Sequence, residues 1–286
     1  MSSPDRILAI DWSGAAAPAA QRRHIVAAEV ACAHIHDTPN VGTGHMNAAP
    51  RVQLRSGRTR AELIGWLCEN VTTHLQSAVI GFDFSFALPA SFSRQHGCCT
   101  APELWELVAR NGEEWLRTSL PPFWGRPGKR RPPLAPEDTL RQTERDVCDR
   151  DQGIRPKSTF QIGGAGAVGT GSLRGMPLLL ELRRAGYSIW PFDPPRFPIV
   201  VEIYPRLLTQ KVIKKRTTAR CDYLSASRFT LLPEAIRQEA AASEDAFDAL
   251  VSALVMQEHA ASFACLHQTT DSAEALEGRI WRPDSP

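Results

Sequence analysis

The sequence predicts a mixed α/β domain in which a sheet of short strands is covered by helices. Short apolar runs bounded by turn residues, which are typical of strands, occur at 6–14 and 77–89. An amphipathic helix separates them and a long helix follows near the end, so that strands and helices alternate. Of the 286 residues 43 % are hydrophobic, which is enough for a full-sized core, and we predict a single domain over 1–286.

The first part of the chain predicts three strands. RILAIDWSG (6–14) and QRRHIVAAEVA (21–31) are apolar runs, and the Ala, Pro and Gly residues between them favour a hairpin. RVQLRS (51–56) is a weaker third strand. The sheet is therefore expected to begin with an antiparallel pair.

An amphipathic helix over 59–75 follows these strands. Thr59 and Glu62 have the spacing of a capping box, and apolar residues after them recur on one helical face. SAVIGFDFSFALP (77–89) comes next and reads as a fourth strand with Asp83 at its centre. An acid thus lies in the first strand, at Asp11, and in the fourth.

The segment from about 90 to 196 is predicted to be a large insertion between the fourth and fifth core strands. It has helical stretches at 102–117 and 176–186, and a proline-rich stretch at 121–136 that predicts an exposed loop. A glycine-rich stretch, STFQIGGAGAVGTGSLRG (158–175), lies between them.

The last strong strand and the last long helix each carry acids. RFPIVVEIYP (196–205) contains Glu202, and SEDAFDALVSALVMQEHAASF (243–263) predicts a helix with Ser243 as its N-cap. Asp245 and Asp248 fall in the first turns of that helix.

Five acids share one property, which is a place inside or beside an apolar element. Several buried carboxylates repel one another and lose hydration, so they predict a cation that neutralises them. Oxygen ligands suit Mg²⁺ or Mn²⁺, and two such ions about 4 Å apart support phosphodiester cleavage. The five candidate residues are Asp11, Asp83, Glu202, Asp245 and Asp248.

Other interpretations of these acids stay open. Asp245 and Asp248 have i, i+3 spacing, which lets both reach one metal ion, but acids in a first helical turn are also favoured by the helix dipole. Glu202 is alternatively explained by pairing with Arg206 or with an arginine of the insertion. Asp11 and Asp83 have no basic partner nearby in the sequence.

The order of these acids resembles the RNase H-like superfamily, and DAFDAL is similar to the helix motif of RuvC-type Holliday-junction resolvases. AIDWSG, GFDFSFALP, VEIYP and EDAFDAL together resemble domain-of-unknown-function family 429, whose members are predicted nucleases of the RNase H fold. The resemblance implies an RNase H-like mixed sheet flanked by helices. It spans nearly the whole chain.

The resemblance also implies the role of each acid. Asp11 would be the central metal ligand, Asp83 would bind one ion, and Asp245, Asp248 or both would complete the site. Glu202 matches the Glu of the Glu-x-Tyr-Pro motif of family 429. The implied activity is metal-dependent hydrolysis of a nucleic acid phosphodiester by a two-metal mechanism.

Contacts to the nucleic acid backbone are predicted at two basic runs, although such runs are usually solvated faces. Trp124 stands beside the first run and either stacks on a base or anchors the loop. The net charge is only +2, so no global field favours a polyanion. The two runs are Lys129, Arg130 and Arg131, and Lys214, Lys215 and Arg216.

Two other function classes remain open. One is an actin-like or kinase-like ATP-binding phosphotransferase, and the other is a catalytically idle binding protein on the same scaffold. Gly164, Gly166 and Gly169 also spell GxGxxG, with Asp193 about 24 residues after the last of them, as in a dinucleotide fingerprint, but a tight loop explains the glycines as well. No membrane-spanning run is present, and a cytoplasmic location is expected.

Overall fold

A computed structural model describes residues 3–32, 51–151, 153–210 and 212–283 of the chain. Six strands form one mixed sheet in the order β3-β2-β1-β4-β6-β5. The strands are β1 (Arg6–Asp11), β2 (Val26–Ala31), β3 (Val52–Arg55), β4 (Ala78–Phe82), β5 (Ser188–Ile189) and β6 (Ile199–Glu202).

The two halves of the sheet pair differently. β1, β2 and β3 pair antiparallel, whereas β1 with β4, β4 with β6 and β6 with β5 pair parallel. The predicted antiparallel start and mixed α/β class are confirmed. The predicted strand at 21–31 is wrong in its first part, because a short helix over Pro18–His24 precedes β2. Pro18 is suited to the first position of a helix, and Ala, Gln and Arg favour the positions after it.

Helices cover both faces of the sheet, and none among the described residues is long and apolar enough to cross a membrane. In chain order they are α1 (Pro18–His24), α2 (Arg60–Asn70), α3 (Ala90–Gln95), α4 (Ala101–Thr118), α5 (Pro136–Thr139), α6 (Gln142–Arg150), α7 (Gly169–Ala185), α8 (Pro205–Thr209), α9 (Thr217–Leu224), α10 (Glu234–Ala242), α11 (Glu244–Glu258) and α12 (Glu274–Glu277).

The long helices begin where their capping signals place them. The capping box of Thr59 and Glu62 is formed at the start of α2, and Ser243 caps α11 by accepting a hydrogen bond from the backbone N–H of Ala246 (N···O 3.4 Å). α7 starts earlier than predicted, at Gly169 rather than at 176. A Cβ at Gly169 would lie 2.2 Å from the carbonyl oxygen of Thr159, so this glycine permits a close backbone approach.

The sheet has a separate hydrophobic core on each face. Leu8 and Ile10 of β1 pack with α2, α4 and α7, whereas Ile7 and Ala9 pack with α10 and α11. α11 lies between the sheet and other helices, which explains why its residues from 246 to 256 are all buried.

The segment between β4 and β6 is larger and more regular than the predicted insertion. It contains α3 to α7 and the short edge strand β5, and α4 and α7, which are 18 and 17 residues long, pack against each other. The proline-rich stretch is free of helices until Pro136 and is mostly exposed from Arg126 to Ala135, as predicted.

Candidate metal centre

Asp11 and Asp83 lie next to each other at the carboxyl end of the parallel pair β1 and β4. Ile10 is opposite Phe82 in this pair, and the backbone N–H of Asp83 donates to the carbonyl oxygen of Ile10 (N···O 3.0 Å). The prediction that Asp83 lies at a strand centre is wrong, because β4 ends at Phe82. Beyond the end of β4, the backbone N–H of Ser85 donates to the hydroxyl of Ser172 instead of to a neighbouring strand.

The alternation of side chains along β1 determines which helix the carboxylate of Asp11 meets. Leu8 and Ile10 belong to the core under α2, α4 and α7, so Asp11 continues the face of Ile7 and Ala9. That face is covered by α11. Gly81 of β4 lets this helix approach closely, since a Cβ there would lie 2.8 Å from the sulfur of Met256.

The first turns of α11 bring Asp245 and Asp248 to the same end of the sheet. One carboxylate oxygen of Asp245 lies 2.9 Å from Nδ1 of His24, at the end of α1. Oδ2 of Asp248 accepts a hydrogen bond from Nζ of Lys214, on the loop between α8 and α9. Oδ1 of Asp248 is buried and has no hydrogen-bond partner among the described residues.

Three of the four aspartates, Asp11, Asp83 and Asp248, have raised pKa values. Burial, then repulsion by Asp83, Asp248 and Asp245, holds the pKa of Asp11 well above its ordinary value, and Lys214 partly opposes the shift. Burial first, and repulsion by Asp248 second, raises the pKa of Asp83 to about 7. Burial also raises the pKa of Asp248, against the attraction of Lys214.

The carboxyls of Asp11, Asp83 and Asp248 therefore share the ammonium of Lys214, which opposes the rise in the pKa of each. This excess of negative charge, together with the unpartnered Oδ1 of Asp248, fits a hard divalent cation with oxygen ligands. Among the described residues no three Asp, Glu, His or Cys side chains stand together as a preformed metal site. Asp248 is engaged by Lys214 and Asp245 by His24, so a bound ion would require these side chains to rearrange.

Glu202 is bound by a buried arginine, although its charge still contributes to the raised pKa of Asp83. It is paired in register with Phe82, whose side chain belongs to the core under α2, α4 and α7, so it points away from α11. Its carboxylate accepts hydrogen bonds from both Nη atoms of Arg141 (2.8 and 2.5 Å) and from the N–H of Phe86 (2.9 Å). The contacts of Glu202 therefore support the interpretation in which it pairs with an arginine. The partner is Arg141, in the predicted insertion, and not Arg206.

The two basic runs differ in their surroundings. Lys214 is bound to Asp248 and is not a solvated contact residue, whereas Lys215 and Arg216 are exposed. In the other run Lys129 and Arg130 are exposed, and the guanidinium of Arg131 lies 5.5 Å from the ring centre of Trp124.

Trp124 anchors the proline-rich loop. Its side chain is buried, and its backbone N–H donates to the carbonyl oxygen of Phe160 (N···O 3.0 Å). The buried ring has little surface to offer to a base, so the loop-anchoring interpretation is the one that its contacts support.

The glycine-rich stretch serves close packing and turning rather than a dinucleotide fold. Residues 158–162, before α7, form only an isolated bridge between Gln161 and Trp124, so the strand that such a fingerprint needs is missing there. Gly164 and Gly166 have φ values of 79° and 73°, which favour glycine. The carboxylate of Asp193 is bound by Arg183 and by the N–H of Ile189.

Several residues of the site were missed by sequence reasoning. Arg60 donates to the carbonyl oxygens of Ser13 and Ala15 (2.8 Å each), and Arg174 donates to that of Gly14 (2.5 Å). These bonds fix the loop that follows Asp11. Arg174 is 160 residues from Gly14 in the chain, and no local pattern predicts such a contact.

Comparison of the chain with protein-family models, with curated proteins and with solved structures finds no match. The interpretation of the site therefore depends on its own geometry and on the short motifs described above. What these support is an α/β protein with a six-stranded mixed sheet and four mutually interacting aspartates at the carboxyl ends of β1 and β4.

Proposed function

We propose that this protein is a hydrolase that cleaves phosphodiester bonds in nucleic acid with the help of Mg²⁺ or Mn²⁺. The observation that carries the proposal is the convergence of Asp11, Asp83, Asp245 and Asp248, where burial first and repulsion by the other three second raise the pKa of Asp11. Perturbed carboxylates of this kind are typical of functional sites. The strand order, with an antiparallel β3-β2-β1 unit followed by parallel β4 and β6, is consistent with an RNase H-like fold.

Three of the aspartates would hold the metal ion, and Glu202 and Arg141 would have a structural role. Asp11 and Asp83 offer carboxylates without a side-chain hydrogen bond or ion pair among the described residues, and Asp248 offers its unpartnered Oδ1. A bound divalent ion would supply Lewis-acid polarisation of the phosphate and a nucleophilic water. Glu202 and Arg141 lie on the other face of the sheet and hold the surrounding elements in place.

The decisive experiment compares the wild-type chain with Asp11→Asn. We expect metal-dependent cleavage of labelled single-stranded DNA, double-stranded DNA or RNA by the wild type, and a loss of at least about a hundredfold in the variant. Glu239→Gln, which removes an exposed acid on α10, is the matched control and should cleave normally.

Calorimetric titration with Mn²⁺ provides a readout that does not depend on the substrate. Binding to the wild type and to Glu239→Gln, but not to Asp11→Asn, is expected. Equal Mn²⁺ binding by all three proteins would contradict the site. Stabilisation by ATP without cleavage of any nucleic acid would instead support the phosphotransferase interpretation.

Removing the ammonium of Lys214 is expected to strengthen metal binding. Lys214→Met keeps the length of the side chain but removes a positive charge that competes for Asp248 and that opposes the approach of a cation. We expect the dissociation constant for Mn²⁺ to fall by about tenfold, which corresponds to about 1.4 kcal/mol. The neighbouring Lys215→Met removes an exposed charge and should leave the constant within about twofold. Weaker binding in Lys214→Met would show that Lys214 aids the metal site rather than competing with it.

A further inference from the structure

A cleft of about 620 Å³ opens beside Asp83, between the sheet and the segment that separates β4 from β6. Asp83, Phe84 and Tyr204 line it from the side of the sheet. Arg155, Lys157 and the first turn of α7 line it from the other side. Its volume is in the range of sites that enclose small ligands, which is roughly 300 to 1,000 Å³.

Two cations give this cleft a positive wall opposite Asp83. The guanidinium of Arg155 is steadied by hydrogen bonds from Nη1 to the carbonyl oxygens of Cys148 and Ile154 (3.1 Å each). Lys157 has no ion pair or hydrogen bond from its side chain among the described residues, and its stem lies against Gly166. Both residues are exposed at the cleft. An anionic group that enters the cleft would thus meet two positive charges that have no acidic partner among the described residues.

The acids on the sheet side do not all oppose an anion. Glu144 and Glu202 line the cleft, but the guanidinium of Arg141 is bound to both of them. The single guanidinium offsets one of these two negative charges. Asp83 is the acid of the cleft without an arginine partner in the described part of the chain, so the acids lie on the sheet side and Arg155 and Lys157 lie across the cleft from them.

One accessible aromatic side chain offers the cleft a surface for a flat ring. Trp12 and Phe84 also line the cleft and lie in contact, with ring centres 5.1 Å apart, but both are buried and expose little of their rings. Tyr204 is half-buried and lines the same cleft. A nucleic acid base can stack on such a surface whatever its identity.

We propose that this cleft binds one nucleoside phosphate unit, with its phosphate beside Arg155 and Lys157 and its base against the ring of Tyr204. Proteins that hold duplex DNA commonly neutralise about 6 to 10 phosphates and bury about 1,000 Å² or more of protein surface. Two cations and a cleft of this volume suit a single nucleotide. The inference rests on the proposed function and specifies its substrate: a single-strand end or a free nucleotide, and not the interior of a duplex.

Binding is tested with the full chain in EDTA, so that no metal-dependent cleavage intervenes. Calorimetry with thymidine monophosphate and with a linear oligothymidylate is expected to detect binding that weakens at least tenfold in the double variant Arg155→Gln/Lys157→Gln. The matched control, Arg94→Gln/Arg184→Gln, removes two exposed charges that neither line the cleft nor belong to the two basic runs, and it should change binding by less than twofold. Equal binding by both double variants would overturn the assignment.

Competition distinguishes the sources of the nucleotide. A linear single strand is expected to displace the mononucleotide, whereas a closed circular duplex should not. If the mononucleotide binds but no strand displaces it, the cleft is assigned to free nucleotides. The proposal would be overturned if closed circular single strands displaced the mononucleotide as strongly as linear ones do. Displacement of the mononucleotide by the closed circular duplex would overturn it as well.

The two proposals fail in different ways. If no nucleic acid is cleaved by the wild type but the Arg155 and Lys157 variants still lose nucleotide binding, the cleft assignment holds and the proposed hydrolysis does not. If cleavage requires Asp11 but proceeds unchanged in the Arg155→Gln/Lys157→Gln variant, the hydrolase holds and the cleft assignment falls.

Discussion

Replacing Arg141 by methionine is expected to lower the free energy of unfolding by about 3 to 5 kcal/mol. Arg141 is fully buried, and its guanidinium donates to Glu144 and Glu202 and to the backbone carbonyl of Glu277. Without it, two carboxylates would be left buried and unpaired. Burial already raises the pKa of Glu144, and the positive charge of Arg141 works against that shift.

Chemical denaturation of the wild type and Arg141→Met at neutral pH measures this effect. Arg150→Met is the matched control, because it removes an exposed arginine from the end of α6 and should change stability by less than about 0.5 kcal/mol. Adding Glu144→Gln and Glu202→Gln to Arg141→Met should recover part of the loss, since neutral amides are cheaper to bury than carboxylates. A loss below about 1 kcal/mol in Arg141→Met would contradict the importance of the network.

Asp83→Asn is expected to have the opposite effect and to stabilise the metal-free protein by about 2 to 4 kcal/mol at pH values of about 8 to 9. The pKa of Asp83 rises from its ordinary value of 3.8 to about 7 on folding, because of burial and of repulsion by Asp248. Between these values the folded protein holds a proton that the unfolded chain has released. The free energy of unfolding therefore falls as the pH rises through this window, and the cost is complete above about pH 7.

Denaturation in EDTA at about pH 5, 7 and 9 tests this prediction. The wild type should lose stability across the series, and Asp83→Asn should lose clearly less, with a remainder that comes from Asp11. Glu239→Gln should follow the wild type. Parallel curves for the wild type and Asp83→Asn would show that Asp83 does not titrate in this range.

These two predictions distinguish two kinds of buried charge in one protein. The carboxylates around Arg141 are paired and hydrogen-bonded, so they bind the segment between β4 and β6 to the rest of the fold. The carboxylates around Asp11 are under-neutralised and reduce the stability of the metal-free chain. A site that lowers stability in this way is typical of a functional role.

Much of the secondary structure could be predicted because its signals are local. The capping box at Thr59 and the N-cap at Ser243 mark the starts of α2 and α11, and the short apolar runs mark β1, β4 and β6. The failures have local causes as well. Pro18 begins a helix that an apolar pattern did not show, and α7 begins at Gly169, where a close backbone contact leaves no room for a side chain.

The candidate site was only partly accessible from sequence. Asp11, Asp83, Asp245 and Asp248 were singled out because acids are unusual beside apolar elements, and the structure brings them into one electrostatic group. The sequence did not show that Lys214 is the cation beside these aspartates, since Lys214 lies in an ordinary basic run and is 34 residues from Asp248. A basic run has the same appearance whether its side chains are solvated or bound.

The sequence by itself determined the strands, the helices and the unusual positions of the acids, because periodicity, caps and local composition act over a few residues. Only the tertiary structure decided which charges meet. The parallel register of β1 and β4 places Asp11 beside Asp83, and side-chain alternation turns both toward α11 while Glu202 faces Arg141, 61 residues away in the chain. Such partners depend on which elements pair in the sheet and on which face each side chain points to, and neither is encoded in a short stretch of sequence.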